Sequence, residues 1–262
     1  MTEPPASDTA PPRRDARVRW WDLLVAFFGG TLAGIVLAVL VGLAAVLIAM
    51  RYGYHPSAAS LAAFLRTSFW ANMAAIVLSD AGLLLVIWLV ARRRFERPLG
   101  HFFAPAGSSM LVLAILSGLA LSVLFNGGNE ILQRLLHVEF QETDIERVLE
   151  PHGAAQFAVG LAVVSLFAPF VEEYFFRGLF LSWASRGLGA WAGTLITAVA
   201  FSVAHGHFYI HPGIQGFVFT FELFLAGVGL AQWTARTGTL RTSYAAHAAY
   251  NATAIAFSVL FP

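Results

Sequence analysis

Glu172 and Glu173 stand side by side in a stretch that is otherwise apolar. Between Ala154 and Leu181 the only other formal charge is Arg177, one helical turn further on. A carboxylate at the centre of a bilayer costs roughly 2.5–3.5 kcal/mol on insertion scales, so ionisable groups at that depth face a protein interior and carry function. Two more polar pairs follow. Phe201-Ser-Val-Ala-His205 closes one apolar segment, and His247-Ala-Ala-Tyr-Asn251 interrupts another. A carboxylate held near imidazoles and an arginine can take a proton from water.

The spacing decides how these groups can be presented. His247 and Asn251, at i and i+4, share one helix face. Glu172 and Glu173, about 100° apart on a helix, cannot both point at one spot. One faces the cavity, and the other turns towards Arg177 or a neighbouring helix. Two carboxyls this close do not titrate independently. Desolvation disfavours a carboxylate and a nearby cation favours it, so a Glu held between the two is suited to act as a base near neutral pH.

The elements that must position these residues are membrane helices. The chain of 262 residues is 58% hydrophobic and 12% charged, with mean hydropathy +0.70. A soluble domain carries about 25% charged residues, so the chain reads as an all-α, polytopic membrane bundle. There is no cysteine, which removes disulfides, zinc–thiolate sites and a cysteine nucleophile together. All sixteen basic residues are Arg, a bias that with abundant Ala suggests a GC-rich bacterial genome. They are spread among loops, which argues against a nucleic-acid partner.

With about 20 apolar residues needed per span, seven segments qualify: 21–50, 69–91, 108–127, 154–181, 189–206, 213–235 and 240–261. The Pro-rich, polar residues 1–19 read as a disordered cytoplasmic tail. Trp20 to Met50 is too long for a signal peptide and reads as an uncleaved signal anchor. Residues 20–153 hold the N-terminal helices and, from Asn126 to His152, an acidic amphipathic stretch expected as short interfacial helices. Residues 154–262 form the core that carries the motifs. With the N-terminus inside, twelve Arg fall on the inner side and four (Arg51, Arg66, Arg134, Arg147) on the outer, as the positive-inside rule requires. At 1.5 Å per residue, Glu172 lies ~14 Å from the inner end of its span, His247 ~10 Å, Asn251 ~16 Å and His205 about 24 Å from Gly189. Helices with these ends can bring all four to one cavity near mid-membrane.

Taken together, Glu172-Glu173-x-x-x-Arg177, Phe201-x-x-x-His205 and His247-x-x-x-Asn251 resemble the three motifs of the CAAX protease and bacteriocin-processing (CPBP) intramembrane proteases, which include the type II CAAX prenyl endopeptidases. The resemblance covers about Phe157 to Phe257. It implies a helical membrane fold whose polar residues line a cavity open to the cytosolic side. It also implies Glu172 as the base that activates water, with His205 assisting. His247 and Asn251 would stabilise the oxyanion, and Glu173 and Arg177 would support them. The family is labelled both metalloprotease and glutamate protease. A divalent metal such as zinc could be held by Glu, His and Asn donors, but nothing in the sequence requires one. The substrate implied is a membrane-associated peptide or protein, and the location a bacterial inner membrane.

Other polar residues have plainer readings. His205-x-His207-x-x-x-His211 invites a metal cluster, but His207 and His211 fall at an aromatic interfacial turn before Pro212-Gly213. Glu222 and Asp80 read as interhelical hydrogen-bonding groups, and Gly227 and Gly229 as a close-packing surface. The competing function is a non-catalytic scaffold or an ion or proton pathway that uses the same residues structurally. It lacks the paired broken helices of many transporters. Glu172→Gln separates the two, because a scaffold tolerates the near-isostere and a base does not.

Overall fold

The computed structural model describes residues 18–95, 100, 102–143, 147, 149–211 and 213–260. The tail expected over 1–19 lies outside these except for its last two residues. The described elements are all helical: α1 Trp20–Arg51, α2 Ala58–Thr67, α3 Phe69–Arg94, α4 Ser108–Leu136, α5 Ala154–Leu188, α6 Ala190–Ala204, α7 His207–Ile210, α8 Ile214–Thr237 and α9 Leu240–Leu260. Among the described residues, α1, α3, α4, α5 and α8 are long and apolar enough to cross a membrane. This defines an integral, multi-pass membrane protein. Seven spans were expected. The two not reached are α6, whose fifteen residues rise only about 22 Å, and α9, which is long enough but rich in polar side chains.

The third apolar segment runs further than expected. Helix α4 continues through Gly127 and Gly128 to Leu136 and ends on His137 in the left-handed conformation. Glycine costs about 1 kcal/mol in a helix but does not break it. The added turns are held by polar contacts instead: Asn126 Nδ2 donates to the Ser122 carbonyl at 2.8 Å, and Asn129 Nδ2 to Glu222 Oε2 at 3.3 Å. The interfacial helices expected over 126–152 therefore begin no earlier than the end of this span.

Small residues set the helix spacings. Gly30 and Gly34 of α1 lie on Leu83, Ser79 and Gly82 of α3, with no room for a Cβ on either side. A Cβ at Gly118 of α4 would collide with the Ala246 carbonyl of α9, so these helices run backbone to backbone. Gly227 packs α8 on Ala198 of α6. Beyond Gly34 most of α1 is exposed apolar surface suited to lipid. At its other end, Asp22 caps the helix through the Arg19 N–H at 2.7 Å and pairs with Arg94 of α3 at 2.8 Å.

Helix α1 has one π-turned stretch, Val25–Gly29, and α5 is more irregular still. Two π-turned stretches, Leu161–Phe167 and Tyr174–Phe180, flank a single α-helical stretch, Ala168–Glu173. The cause of the first is Pro169, which has no N–H and crowds the preceding turn. The helix widens there, and the Ala168 N–H bonds the Val163 carbonyl five residues back. In that register the donor for the Val164 carbonyl would be Pro169, which has none. Asn251 of α9 supplies it, with Nδ2 2.8 Å from the Val164 oxygen. A backbone defect in one helix thus ties down a side chain of another, two turns before the paired glutamates.

Candidate active site

The α-helical stretch ending at Glu173 presents its two carboxylates in different directions. Glu172 Oε2 lies 3.7 Å from His205 Nε2 and 3.7 Å from His247 Nε2. Glu173 is fully buried, with Oε1 2.8 Å from Arg177 Nη1 and 3.0 Å from His247 Nδ1. His247 therefore stands between the two glutamates, one on each ring nitrogen.

Each histidine is oriented by its Nδ1. Helix α6 ends at Ala204, and Gly206, at φ 72°, turns the chain away. His205 is left at the helix end, where Nδ1 lies 2.7 Å from the Phe201 carbonyl. A carbonyl only accepts, so that nitrogen carries the hydrogen and Nε2 faces Glu172. In His247 the Nδ1–H donates to the Glu173 carboxylate, again aiming Nε2 at Glu172. A hydrogen-bonded carboxylate behind an imidazole fixes its tautomer and ring plane.

Arg177 completes the buried layer. Its side chain is 0% exposed, Nη2 donates to the Gly227 carbonyl at 3.3 Å, and the guanidinium lies 4.3 Å from the centroid of the Phe201 ring. Phe201 also contacts the rings of His205 and His247, at 4.5 and 5.6 Å. One buried charge is thus neutralised by an ion pair, a carbonyl and an aromatic face. Glu172 and His205 are the accessible members, with side chains 25% and 26% exposed against 5% for His247.

The structure brings Glu172, His205 and His247 together, with Glu173 and Arg177 directly behind. Asn251 lies one turn beyond His247 and is anchored to Val164. The Val164 carbonyl and the Gly227 carbonyl, which hold Asn251 and Arg177, are backbone groups with no sequence signature. The single pointer to the first was Pro169, five residues after Val164. Beside the cluster, a cavity of about 210 Å³ is lined by Phe201, His247, Trp233, Ala246, Leu230 and Tyr250 among others.

His207 and His211 stand apart, their rings stacked at 5.4 Å. His211 is buried against Gln215, with Nδ1 2.9 Å from Nε2, while Phe208 and Tyr209 form the exposed aromatic turn. Glu222 pairs with Asn129.

A zinc ion would suit N,N,O donors chemically. However, no group of three or more His, Cys, Asp or Glu among the described residues is arranged to hold a metal. Glu172 and the two histidines stand 3.7 Å apart along both edges.

Fold and site define a multi-pass helical membrane protein with a Glu/His cluster enclosed by its C-terminal helices. Residues 154–253 match the family model described as "Type II CAAX prenyl endopeptidase Rce1-like". No curated protein and no solved structure is matched by the chain.

Proposed function

We propose that the protein is an intramembrane endopeptidase that hydrolyses a peptide bond of a membrane-associated protein or peptide, with Glu172 as the base. The observation that carries this reading is the convergence of Glu172 Oε2 with the Nε2 atoms of His205 and His247 at 3.7 Å, within the segment that matches a prenyl endopeptidase family. The distances are too long for direct hydrogen bonds, and a water seated to one side of the three atoms can reach them all.

In this reading, a water donates one hydrogen to Glu172 and is positioned by His205. Glu172 takes the proton as the oxygen adds to the scissile carbonyl. The oxyanion is met by His247, which donates through Nε2 when protonated on both nitrogens, and by the second Nδ2 hydrogen of Asn251. Glu172 then returns its proton to the leaving nitrogen. General-base help contributes about 10²–10⁴ in rate and an oxyanion donor about 10²–10³. Glu173 and Arg177 hold His247 and do not touch the reacting atoms. No step is routed through a metal.

The topology that goes with this has the N-terminus and the open side of the site in the cytoplasm of a bacterial cell, with the chain in the inner membrane. The test is cleavage of a panel of farnesylated and unmodified membrane peptides by the detergent-solubilised protein, beside Glu172→Gln, with and without chelator. Cleavage lost at least about 100-fold in Glu172→Gln and unchanged by chelator is the expected result. Cleavage that survives the substitution overturns the assignment of the base, and cleavage abolished by chelator overturns the metal-free route.

A further inference from the structure

Helices α4 and α8 run antiparallel and are tied at two levels. Trp233 Nε1 donates to Ser117 Oγ at 2.9 Å, and Asn129 Nδ2 donates to Glu222 Oε2 at 3.3 Å. From Ser117 to Asn129 on one helix, and from Glu222 to Trp233 on the other, is roughly 17 Å. Between the two ties the helices part, and the cavity of about 210 Å³ lies in the gap. Its back wall is α9, with Ala246, His247 and Tyr250.

The α8 side shows which way the cavity faces. Leu225 and Gly229 border it and are also exposed, as is Phe221 one turn before Leu225. Its mouth is therefore on the apolar flank of the bundle. A Cβ at Gly118 or Gly227 would run into a neighbouring backbone, but one at Gly229 would meet nothing within 4 Å. Gly229, expected from sequence as a close-packing residue, keeps space open instead. An apolar cavity of about 150 Å³ holds a benzene molecule, so this one has room for one large side chain. The ties at its two ends stop it short of a groove for a long chain. His247 borders the cavity while its two ring nitrogens address Glu173 and Glu172. A group seated there lies against a member of the Glu/His cluster.

We propose that this cavity is a substrate subsite that takes one large apolar side chain, of the size of leucine or phenylalanine, from a peptide segment embedded in the bilayer and entering sideways between α4 and α8. This rests on the peptidase reading of the Glu172 cluster. The seated side chain anchors the peptide beside His247, and Gly229 determines specificity by leaving the space that the side chain occupies.

The test measures binding to Glu172→Gln protein in detergent, so that no turnover intervenes. The probes are dye-labelled apolar peptides, identical except for Ala, Leu or Phe at one central position, with a farnesylated form of the Ala peptide beside them. Fluorescence anisotropy is expected to show Leu or Phe bound at least about tenfold more tightly than Ala. Adding Gly229→Leu, whose side chain takes up the same space, should bring the three peptides within about twofold of one another at an undiminished unfolding midpoint. Gly229→Ala, which adds one methyl to open space, should narrow the preference part-way and serves if the leucine variant does not fold. A preference that survives Gly229→Leu, or three peptides bound alike before it, overturns the proposal. So does a loss of affinity confined to the farnesylated peptide, because the cavity then holds a lipid chain. Binding is read without cleavage: a wild type that shows the preference and cleaves nothing removes the peptidase reading, whereas cleavage without the preference removes the subsite alone.

Discussion

At the scale of single residues, the arrangement separates the accessible Glu172 and His205 from the buried groups behind them. Arg177 lies with Glu173 in a fully buried pair, and removing one partner leaves an uncompensated charge, a loss of about 3–5 kcal/mol in buried pairs. Arg177→Ala is therefore expected to lower both the unfolding midpoint and membrane abundance. Glu172→Gln is expected to leave both intact while abolishing cleavage. His205, at the accessible edge with its Nδ1 held by a backbone carbonyl, should behave as Glu172 does: His205→Ala loses cleavage about 10²-fold or more at wild-type abundance. Abundance on membrane immunoblots, set beside kcat, checks all three. The paired glutamates, the arginine and both histidines were legible as a set, because charge is conspicuous in an apolar sequence. The adjacency of Glu172 and Glu173 implied that they point apart. That both would touch His247 was not legible, since it depends on how α9 is rotated against α5.

At the scale of elements, the site depends on an irregular helix. Pro169 widens α5 into a π-turn, and Asn251 serves the carbonyl that this leaves without a backbone donor. Pro169→Ala restores an N–H and lets the turn close. Closing it re-registers Glu172 by up to one residue, about 100° of rotation. The expected outcome is an unfolding midpoint equal to or above wild type with cleavage reduced at least about tenfold, read by differential scanning and the peptide assay. Asn251→Ala works the other way, because a buried carbonyl left unpaired costs about 1–3 kcal/mol. Its midpoint should fall together with its activity. The widening could not be read from periodicity: the apolar run through 154–181 is continuous, and only contact with α9 gives the freed carbonyl its partner. The extension of α4 to Leu136 escaped for a related reason. Glycines and polar side chains after Phe125 look like the end of a span until Asn129 is seen to meet Glu222.

At the scale of the whole molecule, close helix contacts keep the polar cluster enclosed. Gly118→Val would drive a side chain into the Ala246 backbone, part α4 from α9 and disturb the cavity beside His247. Loss of folded protein in detergent, seen by size-exclusion profile, is the expected outcome. The absence of cysteine makes topology directly measurable: single cysteines at Ser7 and Tyr54 should react with an impermeant thiol reagent from opposite sides of the membrane. Composition was enough to establish a helical membrane protein, because only helices satisfy their own backbone hydrogen bonds in a segment this apolar. Residue types and spacing were enough to single out Glu172, Glu173, Arg177, His205, His247 and Asn251. Which of them meet, which are sealed and which stay accessible was decided by tertiary packing alone. Helix rotation and register depend on small-residue contacts such as Gly118 with Ala246, made between positions far apart in the chain.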